Sequence, residues 1–165
     1  MPKGELYLKT GKTTSPASTD ANVTGGWVDA YEQYGLSLED GSLSKLIAPA
    51  PNKNPVSNTN ALTSGVAYLG GSVGVKNERT LSLDAHICAG TKAEFWSKYA
   101  AFCNEILDHA RGDHIRLKHA DDHNRVHHLV YQSCEPFSQF RMEMAKFTLV
   151  VKEPHPELVT EQTSN

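Results

Sequence analysis

Within residues 114–128, HIRLKHADDHNRVHH, five histidines, two aspartates, two arginines and a lysine share fifteen positions. His119, His123 and His127 recur at every fourth residue, the spacing that sets metal ligands on one face of a helix. Asp122, His123, Asn124 and His127 are also the residue types of a His-Asn-His nuclease. A metal-dependent hydrolase or nuclease built on the His119–His128 cluster is therefore one alternative. The plainer one is a pair of strands around a polar turn.

Local propensity favours the strands. ADDHN forms helix poorly, because Asp and Asn side chains compete for backbone hydrogen bonds. Alternation before it points Ile115 and Leu117 inward and His114, Arg116 and Lys118 outward. ADDHNR then closes a hairpin with its imidazoles facing solvent. The glutamate of HExxH and closely spaced cysteine partners are both lacking. LVYQSCEPF, which follows, reads as a strand where the nuclease places a helix. The expectation is a protein that is not an enzyme, with no catalytic residue, cofactor or metal.

Other motifs fall the same way. GVAYLGGSVGVKNER has neither GxGxxG nor P-loop spacing, and no serine sits in GxSxG. Trp27, Tyr31 and Tyr34 could build the stacking surface of a carbohydrate-binding module. Aromatic residues in strands are more often core or cross-strand pairs.

The elements that must position these residues belong to one domain, because 165 residues divided in two would leave each half marginal. Three cysteines, Cys88, Cys103 and Cys134, lie far apart and fit neither a zinc signature nor a disulfide framework; they read as small buried thiols in a reducing compartment. No apolar run is long enough to span a bilayer, and the start lacks the apolar centre of a secretion signal. A net charge of −3 with scattered basic residues argues against general nucleic-acid binding.

Residues 1–26 read as a flexible arm that opens on a strand-like GELYLK, and 27–156 as a single barrel domain. Residues 157–165, rich in polar groups, read as a frayed tail. WVDAYEQYGLSLEDGSLSKL suggests two strands joined at EDGS, and the Pro- and Asn-rich 48–65 suggests a long loop. RTLSLDAHIC (79–88) alternates cleanly as a half-buried strand. Over about 91–110 the period changes: Phe95, Trp96, Tyr99, Phe102, Cys103, Ile106 and Leu107 form a helical stripe. Thr91 with Glu94 makes a capping box, Glu94–Lys98 an i,i+4 pair, and Gly112 a C-cap. HIRLKH, VHHLVYQSC and MAKFTLVVKE close the domain as strands. The fold class is α+β, mainly β: a split β-barrel or curved antiparallel sheet flanked by one amphipathic helix.

In this order the chain resembles the distal tail proteins of bacteriophages and prophages. DAYEQYGLSL (29–38), RTLSLDAHICAGTKAEFWSKYAAFCNEIL (79–107), IRLKHADDHNRVHHLVYQSC (115–134) and MAKFTLVVKEPHP (144–156) carry the resemblance. It implies a homo-oligomeric, hexameric ring of split barrels at the tail tip, joining the tail tube to the baseplate or hub. The protein would be made in the bacterial cytoplasm and reside in the virion, away from membranes. DNA would pass through the ring without specific binding, in keeping with a mildly acidic chain. The 48–65 loop departs from a minimal barrel, and Pro51, Asn52, Lys53 and Asn54 are its expected subunit contacts.

Overall fold

A computed structural model describes residues 4–9, 27–58, 65–68, 75–108, 115–123, 125–156 and 160–161. Most of the N-terminal arm, the Gly112 cap, His114, Asn124 and most of the C-terminal tail lie outside the described residues.

The elements follow in chain order. Strands β1 (Leu6–Lys9) and β2 (Val28–Asp29) lead into helix α1 (Ala30–Tyr34), strand β3 (Leu36–Leu38) and helix α2 (Asp40–Ile47). Two short strands, β4 (Ser57–Asn58) and β5 (Ala67–Tyr68), precede the long β6 (Arg79–Cys88). Helix α3 (Lys92–Phe102) continues as a π-helical turn over Cys103–Asp108. Then come β7 (Ile115–His119), a 3-10 turn at Ala120–Asp122, β8 (Arg125–Cys134), β9 (Gln139–Arg141), β10 (Met144–Glu153) and β11 (Thr160–Glu161).

The spine is β6 against β10, antiparallel from Arg79↔Glu153 to Cys88↔Met144. Period-two alternation buries Leu81, Leu83, Ala85 and Ile87 on one strand and Ala145, Phe147, Leu149 and Val151 on the other. The sheet runs β2-β1-β7-β8-β10-β6-β3, with β11 beside β8 and β9 beside β10. Strand β8 is shared between its halves: His127–Leu129 pair with β7, and Val130–Cys134 pair with β10 across a register shift at Val150/Val151. That irregularity lets one strand serve two directions of sheet, and the result is a curled antiparallel half-barrel. The fold class is the one expected from the sequence.

Helix α3 packs into the core cluster beside β6 and α1. Phe95, Phe102 and Ile106 are buried, whereas Trp96 stays 46% exposed, so the apolar stripe is narrower than its spacing suggested. Thr91 Oγ1 accepts from Glu94 N at 3.1 Å, while Glu94 Oε2 accepts from Gly90 N at 3.0 Å, one residue earlier than the usual reciprocal bond. Lys98 Nζ reaches Glu94 at 2.9 Å as expected.

Residues 27–46, which suggested two strands, hold only the short β2 and β3, and two helices take the rest. Asp29 Oδ1 accepts from Tyr31 N and Glu32 N and so caps α1. Gly35 ends it at φ 64, where an added Cβ would lie 2.2 Å from Cys88 O. EDGS, read as a turn, begins α2 instead. Its buried residues, Ser42 and Leu46, are four apart, a helical period rather than a strand's. Ser42 Oγ donates to Asp84 O and accepts from Asp84 N, which fastens α2 to the edge of β6.

The expected 48–65 loop is in part an extended limb. Asn52 bridges Lys76, Lys53 N donates to Val75 O at 2.7 Å, and Asn77 N donates to Pro51 O at 2.8 Å. With β4 paired to β5, the described parts of these limbs make a two-stranded hairpin outside the main sheet.

Candidate functional site

The histidine segment does fold back between paired strands, with Leu117 opposite His127 and Ile115 opposite Leu129. Its imidazoles do not all face solvent, and this corrects the expectation. His119, His127 and His128 are buried; His123 is exposed. Arg116, expected to point outward, is fully buried as well. Both faces of this part of the sheet are covered, so alternation alone could not assign the polar side.

The three histidines at four-residue spacing do not share a helical face, because residues 120–122 form a single 3-10 turn between strands. His119 ends β7, and its Nδ1 accepts from Asp121 N at 3.2 Å. His123 closes the turn at φ 50, the sole positive-φ non-glycine among the described residues. His127 lies elsewhere, on β8. Among the described residues no group of three or more His, Cys, Asp or Glu side chains is arranged to hold a metal ion.

His127 instead occupies the middle of a buried polar chain. Its Nε2 lies 2.6 Å from Asp122 Oδ2, and its Nδ1 lies 3.0 Å from Glu153 Oε1. Arg125 grips Asp122 Oδ1 through Nε and Nη2, at 2.8 and 2.6 Å. On the other side Arg79 Nε donates to Glu153 Oε2. The same guanidinium donates to the carbonyls of Lys45, Leu46 and Ala48 at the end of α2. A cation at a helix C-terminus satisfies orphan carbonyls and the negative end of the dipole together.

Strand periodicity explains why these groups meet. Arg79 is two residues before buried Leu81, Glu153 two after Val151, and His127 two before Leu129. All three therefore fall on the inward face, at one end of the half-barrel, where the apolar core gives way to ions. Burial raises the Glu153 carboxyl's pKa, but hydrogen bonds from His127 and Arg79, and their charge, outweigh it and hold the group below its ordinary 4.5. Both carboxylates in the chain are held by arginine and by histidine, and among the described residues no serine, threonine or cysteine side chain is bonded to His127. The arrangement can lock strands and α2 together.

The aromatic trio of the carbohydrate alternative is also dispersed. Tyr34 is buried and donates to Glu105 at 2.7 Å. Trp27 has Lys9 and Lys118 over its ring. Pro51, Asn52, Lys53 and Asn54 are all exposed, along one limb of the hairpin. Sequence reasoning met Asp122 only as a nuclease residue type and passed over Glu153, Arg79 and Arg125. For Arg79 and Glu153 the signal was present: each extends an alternating apolar strand by one more inward step.

No family model matches the chain, and no curated protein matches it. Among solved structures it is similar to the Dit protein of phage SPP1, described as a paradigm of hub adsorption apparatus in Gram-positive-infecting phages. The TM-score is 0.41 at 18% identity, covering 62% of this chain and 39% of that one. The match thus spans well under half the length of the phage protein.

Proposed function

We propose that the protein is a structural subunit of a phage or prophage tail, forming a hexameric ring at the tail tip between the tail tube and the baseplate or hub. One observation carries the reading best: the long hairpin outside the main sheet. A two-stranded ribbon alone is marginal in water. This one nevertheless leaves Val56, Val66 and Val75 each more than 40% exposed. None of the described residues of 48–78 belongs to the buried core cluster. A ribbon whose described residues add nothing to the core, and show valines to solvent, fits a segment completed by another subunit. Pro51, Asn52, Lys53 and Asn54 are its proposed contacts, with other tail proteins docking on the ring faces. Ring closure requires a head-to-tail interface, in which one patch meets a different patch on the next copy.

Electron microscopy and light scattering of concentrated protein test this directly. Six-fold rings, or a mass of six subunits, are the expected result. Monomers alone at every concentration, with and without a tail-tube partner, would sink it.

A further inference from the structure

Among the described residues, the exposed large apolar side chains fall into two groups. Ile47, Val56, Val66 and Val75 belong to the hairpin and to its root at the end of α2. Trp96, Phe140 and Met142 belong to α3 and to the turn from β9 to β10. The spine keeps the groups apart. The hairpin enters β6 at Arg79↔Glu153, and the chain leaves β6 for α3 beyond Cys88↔Met144. Ten residues of strand lie between them, a span of about 30 Å.

The second group is a braced surface. Phe140 is held on β9 opposite Ala145 of β10. Its ring lies 6.1 Å from Trp96 and 5.9 Å from the fully buried Phe95, which also meets Trp96 edge-on at 5.4 Å. Ala89 N donates to Glu143 O at 2.9 Å and so ties the approach to α3 to the turn that carries Met142. Rings fixed in this way lose little freedom on binding, which suits them as anchors at the centre of an interface. The rim is of mixed sign: exposed Arg141 and Glu143 flank Met142, and exposed Lys92 stands one turn before Trp96. Apolar contact, not net charge, therefore selects the partner.

Such a surface fits an apolar segment with few charges, and the chain carries one. Residues 48–78 are 31 in number and include three charged ones, Lys53, Lys76 and Glu78. One side of an ordinary interface takes roughly 20–30 residues, so a segment of this length can supply it. Hairpin and aromatic surface lie at opposite ends of the spine, so they meet between copies. A patch that joins a different patch on the next copy passes the contact onward until a ring closes, whereas either patch joined to itself stops at a dimer.

We propose that the Trp96–Phe140–Met142 surface is the seat for the hairpin of a second copy of this chain. The proposal rests on the ring reading above and names the two faces of its subunit contact.

Sedimentation velocity, at concentrations where the parent forms rings, tests it with variants of each face. Met142→Glu and Trp96→Glu spoil the seat; Val56→Glu combined with Val75→Glu spoils the hairpin. Met142 is 67% exposed in a turn, so its substitution serves even where the Trp96 variant fails to fold. Each variant alone is expected to raise the concentration for half-assembly about tenfold or more, the loss of one desolvated anchor. A 1:1 mixture of Met142→Glu with the double valine variant retains one sound hairpin and one sound seat. That mixture is expected to give dimers and nothing larger. Rings undiminished in both seat variants would overturn the seat and leave the ring reading standing. Dimers from either variant alone, or intact rings that lose only a tail-tube partner, would likewise overturn it. A parent that stays monomeric at every concentration fails the ring reading, and the seat with it.

Discussion

His127 shows how little a residue type says before its neighbours are known. The ring sits between two buried carboxylates, each in turn held by an arginine. Removing one partner from such a set strands the others without water. His127→Ala is therefore expected to lower unfolding free energy by roughly 3 kcal/mol, as measured by urea denaturation. His123→Ala, at an exposed turn position, is expected to cost far less, and a similar loss at both would show that burial is irrelevant. The chain also makes stability depend on pH. Glu153 has its folded pKa held below the ordinary 4.5, so in the acid range the unfolded state binds the proton more readily. Its contribution is complete above about pH 4.5 and is lost as pH falls through the depressed folded value. The midpoint of thermal unfolding should drop below that pH, and Glu153→Gln should flatten the acid limb while lowering stability at neutral pH.

At the scale of elements, the region from Asp29 to Ile47 is governed by caps and close approaches. Gly35 must adopt φ 64 and sit against the Cys88 carbonyl, whose residue is paired to Met144 in the spine. Gly35→Ala forces a left-handed alanine and a 2.2 Å contact with backbone, so a loss of about 3 kcal/mol is expected by chemical denaturation. Thr91→Ala removes one capping acceptor from α3 and should cost about 1 kcal/mol. A reversal of that order would mean that Gly35 is not the tighter constraint. The same contrast explains what could be read in advance. RTLSLDAHIC and MAKFTLVVKE became strands, the first as the alternating, half-buried strand anticipated, because period two over ten residues leaves little choice. The Thr91 cap and the Glu94–Lys98 pair were equally legible, since they depend only on near neighbours. Helices α1 and α2 were missed because each is short, and because Asp29 and Gly35 act through cap geometry that resembles a turn. The Asp122–His127–Glu153 chain was missed for a different reason. Its members come from a turn and two strands, and only the register of β6, β8 and β10 brings them together.

The described residues divide into a half-barrel with its own core and a ribbon that contributes none of it. Cutting between them is a direct test of which part folds and which part assembles. Asn77 N donates to Pro51 O at 2.8 Å, so the two limbs are already adjacent at the ribbon's base. Replacing residues 52–76 with Asn-Gly can close the gap with a two-residue turn. Arg79 keeps its carbonyl partners on α2, and every described residue of the buried core is retained. The shortened protein should therefore unfold cooperatively within about 5 °C of the parent, a shift near 1 kcal/mol or less. In sedimentation velocity the parent should contain ring-sized species at high concentration, and the shortened protein only monomer. Rings that persist after the deletion would move the interface away from Pro51–Asn54 and onto the half-barrel itself. A body that fails to fold would show that the ribbon supports the sheet in a way its exposed valines do not suggest.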